Sequence, residues 1–321
     1  MSVNGDRPVT TGQPLVHQAL LCHSDAEFLA SAAPFVKDGI AQGERVLVGL
    51  DETKASLVQA ELGNDADEAE FIDPHHWYRA PSWAMAAYGR YVEEHRHRFS
   101  RVRVLGEIPW SGRPDAEITE LRRCESLGNL IFVNTPASFL CTYDVRQLDQ
   151  WVVDEARRTH PELLVTGVAQ ASPHYVSPLD YSAECDRLPL DEPASTLDER
   201  PITRDTLARA RQMVHLEARR VGLGPERAEE FIMAVSEIAG NALQHGSGSC
   251  YLRLWHEDRK LVCEVTNEHG YIDDPFPGHQ RPDTASRGGR GLWVVRQLCE
   301  LVQIRSHQGG GCTVRLHAFL T

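Results

Sequence analysis

The order of hydrophobic patterns changes at a segment that has no apolar periodicity of its own. Residues 176–200, VSPLDYSAECDRLPLDEPASTLDER, are rich in Pro, Asp and Glu, which is typical of an interdomain linker. The 321 residues suffice for two ordinary domains. We therefore predict a flexible N-terminus (1–15), a first domain (16–175), the linker (176–200) and a second domain (201–321).

Short apolar runs alternate with helical patterns before the linker. VLVGL, VRVLGEI and FLCTYDV are separated by amphipathic stretches such as DAEFLASAAPFVKDGI. This alternation is typical of a mainly parallel sheet covered by helices. Ser24 followed by Glu27 supplies a capping box for the first helix. We predict an α/β first domain.

After the linker the pattern is two helices, two strands, a long irregular segment, a third helix and two more strands. This order predicts an α+β domain with helices on one face of a mostly antiparallel sheet, and it excludes a dinucleotide-binding fold.

Charge and composition restrict the function classes. The net charge of −13 argues against nonspecific nucleic-acid binding, which needs a cationic surface. No apolar run approaches the roughly 20 residues of a membrane-spanning helix, and the start of the chain lacks signal-peptide regions, so we expect a cytoplasmic protein that does not bind membranes. The eight cysteines are widely spaced, which favours buried free thiols over zinc ligands or disulfides.

The second helix of the second domain carries a polar stripe beside its apolar face. Glu237, Asn241 and His245 are each four residues apart, so they stack on one side of the helix. Alone, such a stripe also describes the solvated side of an amphipathic helix.

A glycine-rich loop follows further along the chain. Residues 286–292, SRGGRGL, open directly into an apolar helix, where glycines permit close backbone approach and exposed amides attract phosphate oxygens. A single glycine cluster also fits an ordinary turn. Here it is the third part of an ordered set, which also contains Glu-x-x-x-Asn, a polar turn at 266–270 and GGGCT before the last strand.

This ordered set resembles the Bergerat (GHKL) ATPases over residues 201–321, and in particular the anti-sigma-factor serine/threonine kinases. The resemblance implies an ATP-binding sandwich in which the Asn241 carboxamide oxygen binds Mg²⁺ and Glu237 orients or deprotonates the attacking hydroxyl. It implies a mobile lid at 267–287. It also implies cofactor contacts from Asn241, His245, Asn267, Gly270, Gly288, Gly289, Arg290, Gly291, Leu292 and Thr313.

One position departs from this family pattern. Where relatives have Asp-x-Gly, this chain reads Asn267-Glu268-His269-Gly270. A neutral amide accepts a hydrogen bond from adenine more weakly than a carboxylate by roughly 1 kcal/mol, so we expect weak ATP binding. His215 lies on the first helix after the linker without the helical hairpin of a histidine kinase, and we predict a packed or surface histidine there.

The first domain resembles the MEDS sensory domains, which are ligand-sensing relatives of RecA-type ATPases. The likeness lies in His17, Gly106-Glu107, Trp110, Glu125, Cys141 to Asp144, and His160-Pro161. Without a Gly-x-x-x-x-Gly-Lys phosphate loop, nucleotide hydrolysis by this half is not expected. A small-molecule pocket lined by Glu107, Trp110, Cys141 and Tyr143 is one interpretation, and plain packing of the same residues is the other. The pairs His75-His76 and His95-x-His97 are predicted to be solvated.

We therefore expect a signalling regulator in which a sensor controls an ATP-dependent serine/threonine kinase. The implied partners are a sigma factor or an anti-anti-sigma protein, with a small-molecule ligand in the first domain and a homodimer as an open possibility. The alternatives are a non-catalytic, ATP-dependent protein-binding switch and, disfavoured by the missing hairpin, a sensor histidine kinase.

Overall fold

The computed structural model describes residues 15–246, 249–257, 259–269, 272, 274, 276–280, 290–307 and 310–320. These residues form two compact units, each with its own sheet. The first unit holds 15–74, 90–108 and 129–175, and the second holds 75–89, 109–128 and 176–320. Within the described residues no helix has the length and hydropathy needed to cross a membrane.

The sheet of the first unit has seven strands in the order β3-β2-β4-β5-β1-β6-β7. All neighbouring pairs are parallel except β6 and β7, which confirms the mainly parallel sheet. The strands are β1 Val16–Cys22, β2 Arg45–Gly49, β3 Glu70–Ile72, β4 Val102–Gly106, β5 Ala137–Asp144, β6 Glu162–Val165 and β7 Val168–Ala171.

The apolar run LLVTGVA at residues 163–169 lies in the hairpin of β6 and β7. Its turn residues Thr166 and Gly167 have φ angles of 47° and 78°. Positive φ at both central residues gives the twist that a two-residue hairpin turn needs.

Helices of the N-terminal half follow these strands as the alternating pattern predicted. The Ser24 hydroxyl accepts the Glu27 amide at 3.1 Å, while the Glu27 carboxylate accepts the amide of His23 at 2.8 Å instead of that of Ser24, so half of the capping box is confirmed. The helices are α1 Asp25–Ala41, α2 Glu52–Leu62, a short 3-10 helix Gly63–Glu68, α3 Pro74–Trp77, α4 Pro81–His95, α5 Asp115–Ile131 and α6 Gln150–Thr159.

The second unit has an antiparallel five-stranded sheet in the order β11-β12-β10-β9-β8, which confirms the predicted α+β layout. Its elements after α6 are α7 Pro178–Asp186, β8 Asp198–Thr203, α8 Leu207–Arg220, α9 Pro225–His245, β9 Ser249–Glu257, β10 Lys260–Asn267, α10 Arg290–Leu298, β11 Leu301–Ser306 and β12 Cys312–Phe319.

Helix α9 lies in the centre of the second core. Its predicted apolar face is buried, with Phe231, Val235 and Ile238 in one cluster with side chains of β9, β10 and β12. Burying each such side chain contributes roughly 1.5–3 kcal/mol, so this face fixes the rotation of the helix and the direction of its polar stripe.

The segment predicted as a linker contains regular structure. Ser177 caps α7 by accepting the Asp180 amide at 3.3 Å, Pro178 occupies the first turn, and Tyr181 and Cys185 are buried. Strand β8 begins at Asp198 and pairs with β9, so residues 202 and 203 belong to a strand and not to the first helix that we predicted after the linker. The sequence signal is weak because Ile202 is the single buried side chain of β8.

Candidate functional site

Two residues of the predicted polar stripe lie in contact on α9. Glu237 and Asn241 are half-buried, and the Asn241 amide nitrogen donates to the Glu237 carboxylate at 3.3 Å. This bond leaves the carboxamide oxygen of Asn241, which cannot donate, as the atom suited to a cation. His245, the third member of the stripe, is exposed in the last turn of the helix.

Gly291 brings the start of α10 against Glu237. A Cβ atom at Gly291 would lie 2.1 Å from the Glu237 carboxylate oxygen and 2.9 Å from its carboxyl carbon. Glycine is therefore required for the observed approach. The first turn of a helix favours negative charge and offers amides to anions, so the carboxylate and the glycine lie where a phosphate group could be bound.

Asn267 ties the end of β10 to α9. The side chain is 2% exposed, its amide nitrogen donates to the Ala242 carbonyl at 3.1 Å, and its oxygen accepts the His269 amide at 3.1 Å. A Cβ at Gly246 would lie 2.2 Å from the same amide nitrogen. Both ends of Asn267 thus bind backbone, and a carboxylate could not make the donor contact to Ala242.

Thr313 lies beside Thr266 on neighbouring strands, as their register requires. The two hydroxyl oxygens are 2.9 Å apart, and the His307 Nε2 atom is 2.9 Å from the Thr313 hydroxyl. Gly311 just before β12 has a φ angle of +93°, and a Cβ there would lie 2.6 Å from the Asn267 carbonyl oxygen. Glycine at position 311 therefore has a steric reason.

Part of the implied lid packs on α10. The Arg296 guanidinium donates to the Pro277 carbonyl at 2.7 Å. Gly278 has a φ angle of +74°, and a Cβ there would lie 2.4 Å from the Leu292 carbonyl oxygen. Burial lowers the pKa of His279, so that imidazole is neutral near pH 7.

The other implied cofactor residues are placed as follows. Leu292 is partly buried against the core of the second unit, and Arg290 is exposed. Gly270, Gly288 and Gly289 lie outside the described residues. The His215 side chain is 41% exposed with its Nδ1 atom 3.5 Å from a Glu229 carboxylate oxygen, which is a surface position.

The residues suggested for a pocket in the first domain do not all meet. Gly106 is the register partner of Cys141, so the next residue, Glu107, falls on the opposite face of the sheet from Cys141 and Tyr143. The Glu107 carboxylate pairs with Lys54. Burial raises the pKa of Glu107, and Lys54 opposes this effect. Trp110 is buried within the second unit.

Cys141 and Tyr143 instead adjoin two histidines. The Cys141 sulfur is 3.5 Å from His17 Nε2, and the Tyr143 ring meets His160 edge-on at 5.7 Å between centroids. The two imidazole centroids are 4.1 Å apart. Both histidines belong to the MEDS likeness, but sequence reasoning did not place them in a site. By contrast, His75, His76 and His97 are exposed, as predicted, whereas His95 is half-buried with its Nδ1 atom 2.8 Å from the Tyr91 carbonyl oxygen, so the prediction of a solvated side chain is wrong there.

Comparison with known proteins matches both halves of the chain. Residues 16–161 match the MEDS family, the methanogen/methylotroph DcmR sensory domain, and residues 201–317 match the histidine kinase-like ATPase domain. The chain carries a MEDS domain followed by a histidine kinase-like ATPase domain. Both resemblances are confirmed.

A curated relative supports the type of the ATPase domain. The serine-protein kinase RsbW of Bacillus subtilis (strain 168) is 28% identical over 105 residues, which are 29% of this chain and 66% of that kinase. The chain thus spans just under two thirds of the length of that relative.

Proposed function

We propose that the histidine kinase-like ATPase domain binds ATP with Mg²⁺ and transfers phosphate to a serine or threonine of a regulatory protein. The observation that carries this proposal is the close approach of Gly291, in the first turn of α10, to the Glu237 carboxylate, which also accepts a hydrogen bond from Asn241. The donor set fits the cofactors, because carboxamide and carboxylate oxygens are ligands that Mg²⁺ accepts. Gly291 places no side chain between the Glu237 carboxylate and the N-terminus of α10.

The two polar residues have different roles in this proposal. Asn241, held by its bond to Glu237, would hold Mg²⁺ through its carboxamide oxygen, and the ion when bound would neutralise charge on the phosphates. Glu237 would orient the acceptor hydroxyl and take its proton. Thr313 and Asn267 would line the adenine side, and the segment held by Arg296 would help to exclude water.

The partner class follows from the relative. Its name, a serine-protein kinase, supports a hydroxyl acceptor on a protein, and we propose a sigma factor or an anti-anti-sigma protein as partner. The MEDS domain would bind a small molecule and control the kinase, in the cytoplasm.

Phosphate transfer from radiolabelled ATP to candidate antagonist proteins tests this proposal on the full chain. We expect Glu237→Gln to lower transfer about 10²- to 10⁴-fold with ATP affinity nearly unchanged. Gln244→Ala, an exposed position on the same helix, is the matched control and should transfer normally. Transfer at the full rate by Glu237→Gln would refute the role of this carboxylate.

A pair of glycine-to-alanine variants tests the close approach of Gly291 to Glu237. Gly291→Ala forces its methyl group against Glu237, whereas Gly240→Ala on α9 meets no described atom within 4 Å. We expect the first variant to lose transfer at least about tenfold, because a small misplacement of a catalytic group is costly. The second should transfer normally and gain roughly 0.5–1 kcal/mol in stability. Equal transfer by both variants would contradict the proposed site.

A non-catalytic switch is the second candidate, and Asn267 favours it. With its amide bound to backbone at both ends, this residue offers adenine less than the family carboxylate would. A switch would transfer no phosphate, and its ATP-dependent binding of a partner would survive Glu237→Gln.

A further inference from the structure

A second polar cluster, outside the nucleotide site, lies against the sheet of the MEDS domain. Ligand atoms of His17 on β1, Cys141 on β5 and His160 after α6 lie within 4.8 Å of one another. We propose that this cluster binds a divalent transition-metal ion with the preferences of Zn²⁺.

The measured spacing suits such an ion. Zinc binds imidazole nitrogen at about 2.0–2.1 Å and thiolate sulfur at about 2.3 Å, so two such ligands on a tetrahedral ion lie about 3.5 Å apart. The distance from His17 Nε2 to the Cys141 sulfur is 3.5 Å. The two ligand atoms are already at the separation that the ion requires.

Hydrogen bonds behind His17 fix its tautomer. The amide nitrogen of Asn129 donates to the Thr159 carbonyl at 2.8 Å, so the Asn129 oxygen is the atom that faces His17 Nδ1 at 2.9 Å. Because that oxygen only accepts, Nδ1 carries the proton, and Nε2 presents its lone pair towards Cys141. Metal-binding histidines are held by second-shell bonds of this kind.

His160 is oriented in the same way. Its Nδ1 atom lies 2.9 Å from the Ala156 carbonyl oxygen, which can only accept. The proton is therefore on Nδ1, and Nε2 is left as the ligand nitrogen. The residue is fully buried.

Ligand type selects the ion. Two imidazole nitrogens and one thiolate are three of the four ligands of a tetrahedral zinc ion, and water can take the fourth position. Nitrogen and sulfur donors favour zinc and its neighbours over Mg²⁺ and Ca²⁺, which prefer oxygen. Cys141 is also the one cysteine of the eight that is only partly buried.

Cobalt substitution of the full chain tests this proposal. After removal of metal with a chelator, Co²⁺ should bind at one equivalent and give the thiolate-to-cobalt charge-transfer absorption, which Zn²⁺ then abolishes by displacement. Cys141→Ser should remove the band. Cys22→Ser is the matched control, because Cys22 is buried on β1 of the same sheet, on the other face, with its thiol bound to the Tyr143 carbonyl.

The absorption band separates the possible outcomes. A charge-transfer band that is absent in the folded wild type, or retained in Cys141→Ser, would overturn the proposal. If Cys141→Ser does not fold, Asn129→Ala is the deciding variant, since loss of a second-shell partner should weaken metal affinity about 10- to 100-fold. Unchanged affinity there would count against the site. The band reports a thiolate ligand, which neither Glu237 nor Asn241 can supply, so failure of the nucleotide site leaves this readout intact.

Discussion

The two polar clusters of this chain are built in opposite ways. Glu237 and Asn241 are neighbours on one helix, four residues apart. His17 and Cys141 are 124 residues apart in sequence and meet only because β1 and β5 pair. The local cluster is half-buried, and the packing of its helix does not depend on these two side chains. The non-local cluster is embedded in buried hydrogen bonds, so changes there should affect folding as well as binding.

Replacing one asparagine at each of the two clusters gives the largest expected difference in the free energy of unfolding. Asn129→Ala removes two buried hydrogen bonds, to His17 and Thr159, and should lower the free energy of unfolding by about 2–4 kcal/mol. Asn241→Ala removes one weak bond on a half-buried helix face, and alanine has the better helix propensity, so we expect a change within about 0.5 kcal/mol. Urea unfolding of both variants measures these values. Equal losses of unfolding free energy in the two variants would contradict the difference between the local and the non-local cluster.

His317, a buried histidine in the second unit, provides a comparison with His17 through its effect on stability at low pH. Burial, with help from Lys260 and Arg315, lowers the pKa of His317 to about 3. In the unfolded chain this histidine takes up a proton near pH 6.5, whereas in the folded chain it stays neutral until about pH 3. The free energy of unfolding therefore falls as the pH decreases from 6.5 towards 3, by about 2 kcal/mol at pH 5. Cations beside His317 also make it unsuitable as a metal ligand, unlike His17 with its thiol neighbour.

His317→Gln should flatten this pH dependence, because glutamine can still donate to Gln303, which lies 3.0 Å from His317 Nε2. His215→Gln at an exposed position is the control and should leave the slope as in the wild type. Parallel stability curves for the wild type and His317→Gln between pH 7 and 4 would contradict the assignment.

Sequence patterns predicted the structural features that depend on the spacing of nearby residues. The stripe on α9, the antiparallel order of the second sheet and the steric need for Gly291 all follow from periodicity or from short motifs. The patterns missed β8, because one buried isoleucine in a polar segment gives no period, and they placed Glu107 with Cys141, because register is not visible before strands pair. The histidine–cysteine cluster was missed for the same reason.

Asn267→Asp is expected to have a smaller effect on the free energy of unfolding. Restoring the family carboxylate would by itself tighten ATP binding, but here the carboxylate would face the Ala242 carbonyl oxygen that Asn267 now donates to. We expect a loss of about 1–2 kcal/mol in unfolding free energy without nucleotide. Thermal unfolding of this variant beside the wild type measures the loss, and a variant at least as stable as the wild type would show that the contact to Ala242 contributes little.

Titration of the full chain with ATP, with and without Mg²⁺, tests the central claim most directly. A fragment beginning at residue 201 would cut β8, so the full chain is the right material. We predict Mg²⁺-dependent ATP binding that Asn241→Ala weakens at least about tenfold while its melting temperature stays near that of the wild type, with Gln244→Ala binding normally. ATP affinity unchanged in Asn241→Ala, or no Mg²⁺-dependent binding by the wild type, would contradict the account.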